Sequence, residues 1–274
     1  MNTGGRLFNI VGWIWVLGLI AFLILPVLIV VPASFADVEQ LVFPPEGLSF
    51  RWYEQLFSDR RWQASALLSA KIALGATFVA VPVALLAAMA RVRFATLSGR
   101  QRMYLLLPLV VPHSVVATGL FTILLKLGIL ESQTVLAITH AAFALPLALL
   151  LLIGALEAID PLIWSAAATL GARPDQVLTR VIFPIIWPAL MAASLLVFIF
   201  SWDEVVATVF IGPVAPAPLP ALMFTYLQET VTPVIAAVAS LLLLISIVLG
   251  GLVLVLNRSS VNPSVNWGQR PGVK

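Results

Sequence analysis

Residues 165–184 read SAAATLGARPDQVLTRVIFP and form a polar island between two long apolar segments of the chain. The Ala-rich start favours a helix, and Gly171 is suited to end that helix as a C-cap. Pro174 is suited to the first turn of a second helix with an apolar stripe, which Pro184 should end. The island therefore predicts a helix–Gly–helix knob, suited either to lie on lipid headgroups or to fit a groove in a protein partner.

Outside the island, the chain is dominated by apolar residues. Of its 274 residues 61% are hydrophobic and 10% charged, and the mean hydropathy is +1.09. Soluble domains are about half apolar and about a quarter charged. Because backbone polar groups in lipid must be satisfied within the segment, the composition predicts an all-α membrane protein with a single transmembrane domain over 1–274.

Six apolar segments are long enough to cross a bilayer core, which takes about 20 helical residues. The first is longer than a signal-peptide core, so it is predicted to be a retained helix. The connection at 157–184, which contains the island, is the longest on its side. We place the six spans near 10–34, 65–90, 103–125, 134–156, 185–210 and 233–256.

Basic residues indicate the orientation. Ten Lys or Arg residues flank the spans on the side shared by both termini and the island, and four flank them on the opposite side. The positive-inside rule therefore places both termini and the island in the cytoplasm. The cluster RVRFATLSGRQR at 91–102 contributes most. These residues lie at segment ends and form no basic stripe with aromatics, so the sequence does not predict nucleic-acid binding.

The usual catalytic and cofactor motifs are absent from the sequence. It contains no GxxxxGK[ST] phosphate loop, no GxSxG, no HExxH and no Cys. His113 and His140 fall in different spans without further ligands at metal-binding spacing, so each is expected to form a hydrogen bond between helices. We therefore predict a passage through the membrane, with no catalytic residue, metal or cofactor in this chain.

The island resembles the "EAA" loop of permeases from binding-protein-dependent ABC importers. That pattern is Glu-Ala-Ala, three residues, Gly, nine residues and Ile-x-Leu-Pro, and the chain matches its spacing with Ser165 in place of Glu. The resemblance implies a coupling loop that docks on a cytoplasmic ATPase, relying on shape more than charge because the carboxylate is missing. Its coupling residues are Ser165, Ala166, Ala167, Gly171, Ala172, Pro174, Val181 and Pro184.

Three further stretches resemble the spermidine/putrescine branch of this family: LSFRWYEQLF at 48–57, LPLVVPHSVVATG at 107–119 and SWDEVVATVFIGP at 201–213. The resemblance implies a type I importer of the bacterial inner membrane with a second, different permease. It also implies two cytoplasmic ATPases that bind ATP and Mg, and a soluble periplasmic or extracellular receptor. Permeases for ferric iron, thiamine, sulfate or phosphonate share much of this architecture and stay open as alternatives.

The acidic pair Asp203 and Glu204 lies inside the predicted fifth span, next to Trp202. Ionisable groups at this depth cost at least about 2.5 kcal/mol and normally face protein or water. Adjacent helical residues point about 100° apart, so one acid should face a pathway while the other pairs or caps locally. A polyamine needs carboxylates and aromatic faces for its ammonium groups, which makes these three residues the candidate substrate path. The alternative is a structural ion pair with Lys71 or with an Arg of the second permease.

Two other classes of protein are less well supported. A stand-alone secondary transporter would show repeats with paired broken helices, and no convincing pair is visible in the sequence. A membrane-embedded enzyme or assembly scaffold is less well supported because the spans carry no catalytic constellation.

Overall fold

The regular elements are helical throughout the part of the chain that our computed structural model describes, residues 3–94, 110–229 and 232–260. The prediction of an all-α fold is therefore confirmed. A π-helical turn, Leu178–Ile182, joins the seventh helix to the eighth. The helices are α1 Thr3–Ala33, α2 Arg51–Ser58, α3 Arg60–Phe94, α4 His113–Leu127, α5 Gln133–Glu157, α6 Pro161–Thr169, α7 Pro174–Val177, α8 Phe183–Trp202, α9 Val206–Ile211, α10 Leu219–Glu229 and α11 Pro233–Ser260.

Five of the described segments are long and apolar enough to cross a membrane, and α4 is a shorter apolar helix. Together they account for the six predicted membrane helices. Residues 103–109 of the predicted third span lie outside the described residues. The five long segments are Val11–Ala33, Arg60–Val92, Gln133–Glu157, Pro174–Trp202 and Pro233–Leu256.

The described residues divide into two compact units, the first comprising those up to Ala66 together with Ala221–Ile245. In this unit the stretch at 48–57 contributes most of α2, which buries Trp52 and Leu56. The Trp52 indole donates to the Ala36 carbonyl at 2.6 Å, and the Arg51 guanidinium lies 4.3 Å from the Trp52 ring centroid. These contacts hold α2 against the chain that follows α1.

The second unit comprises Leu67–Pro220 and the described residues from Ser246 onward. Its core is built largely from small side chains, because α3, α5 and α8 all present alanines to one another. In membranes, small residues let helix backbones approach closely and gain van der Waals contact. Four fully buried alanines of α3 recur at every fourth residue and so lie on one face of the helix: Ala76, Ala80, Ala84 and Ala88.

The predicted continuous fifth span, 185–210, is wrong at its outer end. Helix α8 ends at Trp202, and the short helix α9 begins at Val206. Asp203 adopts φ −95° and ψ 1°, outside the helical basin. The side chain of Glu204 accepts hydrogen bonds from backbone N–H groups at the start of α9. These contacts replace the backbone hydrogen bonds of a continuous helix at this point.

The expectation that Pro184 ends the second helix of the island is also wrong. The segment from Pro174 to Trp202 is one continuous helical path. A proline inside a helix would lose a hydrogen bond and clash with the carbonyl four residues back. Here the π-helical turn precedes it, and the Phe183 N–H bonds five residues back to the Leu178 carbonyl, so the wider turn accommodates the ring.

Candidate functional site

The first half of the island forms the predicted helix and turn. Helix α6 ends at Thr169, and Gly171 adopts φ +76°. The Ala172 N–H reaches back to the Ala167 carbonyl at 3.1 Å, and the Leu170 N–H to the Ala166 carbonyl at 3.1 Å. These contacts satisfy carbonyls that the helix end would leave free, which confirms the local prediction of Gly171 as a left-handed C-cap.

The second half starts where it is predicted to start. Arg173 is extended, with φ −69° and ψ 151°, and Pro174 is the first helical residue. The Gln176 side chain accepts a hydrogen bond from the Arg173 N–H at 3.1 Å, which is half of a capping box. Asp175 lies in the first turn, where a negative charge complements the helix dipole.

Most of the coupling residues taken from the family pattern lie on an accessible surface. Ser165, Ala166, Gly171, Pro174 and Pro184 are exposed, whereas Ala167, Ala172 and Val181 are half-buried. The latter three pack against the core of the second unit. The Ser165 hydroxyl donates to the Pro161 carbonyl at 3.2 Å, within its own helix.

A cavity of about 670 Å³ opens beside these two helices. An ion pair between Arg91 and Glu157, at 3.2 Å, joins the C-terminal ends of α3 and α5. The lining of the cavity is mostly apolar, with Glu157 as its charged member. The cavity lining includes Leu86, Met89, Leu156, Glu157, Pro161, Ser165, Pro174 and Leu178.

At the other end of the same helical path, Asp203 is exposed at the break in the fifth span. Its Oδ2 atom accepts a hydrogen bond from the Ser246 hydroxyl of α11 at 3.2 Å. Trp202 is buried, and its ring stacks on Phe198 with centroids 5.7 Å apart. The Trp202 indole nitrogen is buried and has no hydrogen-bond partner within the described residues.

Glu204 has a different environment from its neighbour. Its side chain is only 8% exposed. The Oε1 atom accepts from the Val206 N–H at 3.0 Å and the Ala207 N–H at 3.1 Å, while Oε2 lies 3.2 Å from His113 Nδ1. Glu204 is therefore the acid that pairs and caps locally, as predicted for one of the two acids. Its partner is His113 rather than Lys71.

His140 is the second polar group at this break. Its Nδ1 lies 2.8 Å from the Ser201 hydroxyl of α8, and its Nε2 lies 3.3 Å from the Thr208 hydroxyl of α9. The expectation of a hydrogen bond between helices is confirmed for His140, whereas His113 contacts Glu204 in the break between α8 and α9. Sequence reasoning missed Ser201, Thr208 and Ser246, although Thr208 lies one helical turn after Glu204 and carries a hydroxyl that such a spacing brings into reach.

We expect Glu204→Ala to lower the free energy of unfolding by about 2 kcal/mol, because two N–H groups at the start of a helix lose their acceptor. Glu204→Gln keeps an acceptor oxygen and should lose less than about 1 kcal/mol. Thermal unfolding of the detergent-purified chain measures both, with the exposed Glu229→Ala as the matched control. Equal destabilisation by the Ala and Gln variants would refute the capping role.

The chain is similar to known membrane transport proteins. Residues 80–261 match the family described as "Binding-protein-dependent transport system inner membrane component". The chain is 30% identical over 231 residues to the spermidine/putrescine transport system permease protein PotC of Haemophilus influenzae, covering 84% of this chain and 89% of that protein. It is 31% identical over 232 residues to the putrescine transport system permease protein PotI of Escherichia coli K12, covering 81% and 82%.

A solved structure shares the fold. It is a chain from the crystal structure of a bacterial ABC transporter involved in the import of the acidic polysaccharide alginate, with a TM-score of 0.64 and 18% sequence identity. The similarity covers 93% of this chain and 98% of that chain.

Proposed function

Because the chain belongs to the family of binding-protein-dependent transport system inner membrane components, we propose that it forms half of the translocation path of an importer for polyamines such as spermidine and putrescine. Family membership makes it a multi-pass permease of the inner membrane, a transport component and not an enzyme. The observation that carries the polyamine proposal is the exposed carboxylate of Asp203 at the break in the fifth span.

A helix break with an exposed acid suits a cationic substrate. The Asp203 carboxylate, already accepting one hydrogen bond from Ser246, has lone pairs left for an ammonium group. Trp202 directly precedes Asp203 in the chain and stacks on Phe198, and aromatic rings attract cations. The two relatives reported above are named for spermidine/putrescine and putrescine transport, which supports the same substrate class.

The island is the proposed docking element for the ATPase. Its exposed small residues and the glycine turn offer a compact knob on the cytoplasmic side, and ATP and Mg would be bound by that partner and not by this chain. From Pro174 to Trp202 the path is helical over 29 residues, or about 43 Å at 1.5 Å per residue. One helical element thus runs from the proposed ATPase contact to the residue before Asp203, so a displacement of the knob can reach the substrate path directly.

The remaining partners follow from the family and are part of the proposal. A binding protein outside the membrane would deliver the substrate, and a second, different permease would complete the path. Two ATPases would bind the coupling segments of the two permeases. The apolar faces of α1 and α11 are largely exposed in the isolated chain and would contact lipid or the second permease.

The test is ATP hydrolysis by the complete transporter in proteoliposomes, with its binding protein loaded with one candidate ligand at a time. We expect putrescine or spermidine to stimulate hydrolysis several-fold over the unloaded binding protein, and sulfate or thiamine to have no effect. Stimulation by sulfate with none by amines would overturn the substrate class while leaving the permease assignment intact. Uptake by this chain alone, driven by an ion gradient, would indicate a secondary transporter instead.

A further inference from the structure

We propose that His113 and Glu204 are positioning residues that hold the break in the fifth span open and so keep the Asp203 carboxylate accessible to the substrate. The inference rests on the proposed function, because it assigns Asp203 the contact with the substrate. The two acids then have different roles. Asp203 is exposed and binds the cation, whereas Glu204 is buried and fixes the backbone around it.

Glu204 uses both carboxylate oxygens on the protein itself. One caps the first turn of α9 through the Val206 and Ala207 N–H groups. The other faces Nδ1 of His113, the first residue of α4. A carboxylate is an acceptor only, and the His113 N–H can donate to it in either the neutral or the charged imidazole. The contact therefore ties the start of α4 to the break in the fifth span.

His113 is itself fixed by aromatic side chains. Its ring stacks on Phe143 of α5 with centroids 4.4 Å apart and planes 11° apart. Phe200 of α8 meets it edge-on at 5.6 Å. The imidazole is thus held by two other helices, so the position of the group that contacts Glu204 is fixed. The side chain of His113 keeps 26% exposure, so it is enclosed without being sealed off.

A second tie crosses the same break. The Thr208 hydroxyl donates its hydrogen to the Glu204 carbonyl at 2.5 Å, so toward His140 Nε2 it can only accept. His140 then carries its proton on Nε2 and accepts from the Ser201 hydroxyl through Nδ1. One imidazole therefore bonds to α8 before the break and to α9 after it.

The accessibility of the Asp203 side chain depends on this arrangement. The Asp203 N–H still bonds to the Ile199 carbonyl of α8 at 3.1 Å, so α8 places the residue. Ordinary helix beyond it would carry the chain past the carboxylate along the same axis, whereas the break turns the chain away at this point. Glu204 prevents the helix from continuing by binding N–H groups that a continuous helix would bond to carbonyls four residues back. His113 keeps the Glu204 carboxylate in that position.

The experiment compares His113→Phe with His113→Gln in the complete transporter. Phe keeps the ring contacts with Phe143 and Phe200 but removes the group that faces Glu204, whereas Gln keeps a side-chain N–H donor and loses the ring. Uptake of labelled putrescine into proteoliposomes, with loaded binding protein in excess, is expressed per assembled complex. We expect uptake to fall about fivefold with Phe and to stay within about twofold of the wild type with Gln.

The same substitutions are then made together with Asp203→Asn. Because His113 acts through Asp203, His113→Phe should lower uptake by less than about twofold in that background. The inference would be overturned if His113→Phe showed normal uptake or failed to assemble. It would also be overturned if His113→Gln and His113→Phe lost uptake equally, or if the losses caused by His113→Phe and Asp203→Asn simply multiplied in the double variant. Normal uptake by Asp203→Asn alone would instead overturn the substrate contact in the proposed function.

Discussion

Gly171→Val is expected to lower substrate-stimulated ATP hydrolysis and uptake at least about tenfold. Gly171 has φ +76°, a region that costs an L-residue about 1–2 kcal/mol and is least accessible to a β-branched side chain. No atom lies within 4 Å of the position a Cβ would take, so the penalty comes from the backbone and not from a clash. A turn destabilised by about 1.4 kcal/mol loses about tenfold in the equilibrium constant for the docking geometry.

A graded series separates this cause from others. Gly171→Asn should be the mildest, because Asn tolerates the left-handed region, and Gly171→Ala should lie between Asn and Val. Gly154→Val is the matched control, since Gly154 lies within α5 and a Cβ there would also meet nothing within 4 Å. Co-purification with the ATPase and ATP hydrolysis are measured for each variant. Equal effects at positions 171 and 154 would contradict the proposed role of the turn.

Asp203→Asn is expected to lower putrescine uptake by about 10- to 100-fold while leaving assembly with the ATPase unchanged. A hydrogen bond to a charged group contributes about 1.5–3 kcal/mol, and each 1.4 kcal/mol is about tenfold in an equilibrium constant. Asn keeps the size and the acceptor for Ser246 but removes the negative charge that an ammonium group needs. Uptake into proteoliposomes with loaded binding protein in excess measures the effect.

Two further variants make the Asp203 result specific. Asp203→Glu keeps the charge and should retain more uptake than Asp203→Asn. Glu229→Gln removes one exposed acid at the end of α10 and should leave uptake within about twofold. If the Glu229 variant lost as much uptake as the Asp203 variant, general surface charge would explain the result and the substrate contact would be refuted.

The membrane helices and the island were predictable because their signals are local. An apolar run of sufficient length must be helical in lipid whatever surrounds it. Gly171 and Pro174 act through their own backbone preferences, so the turn between α6 and α7 followed from two residues. The prediction that Pro184 ends a helix was wrong for the same reason. The local preference of proline is to stop a helix, and the π-helical turn Leu178–Ile182 compensates for it.

The break in the fifth span was not predictable from its own residues. Apolar length argued for one helix across 185–210, and the adjacent acids gave no sign of which would be buried. The sequence by itself determined the class of protein, the number of its membrane helices and the position of the glycine turn in the island. Only the tertiary structure decided that Glu204 is buried against His113 and that His140 reaches Ser201, 61 residues away. Such polar contacts depend on the packing of separate helices, which determines which buried groups can find partners.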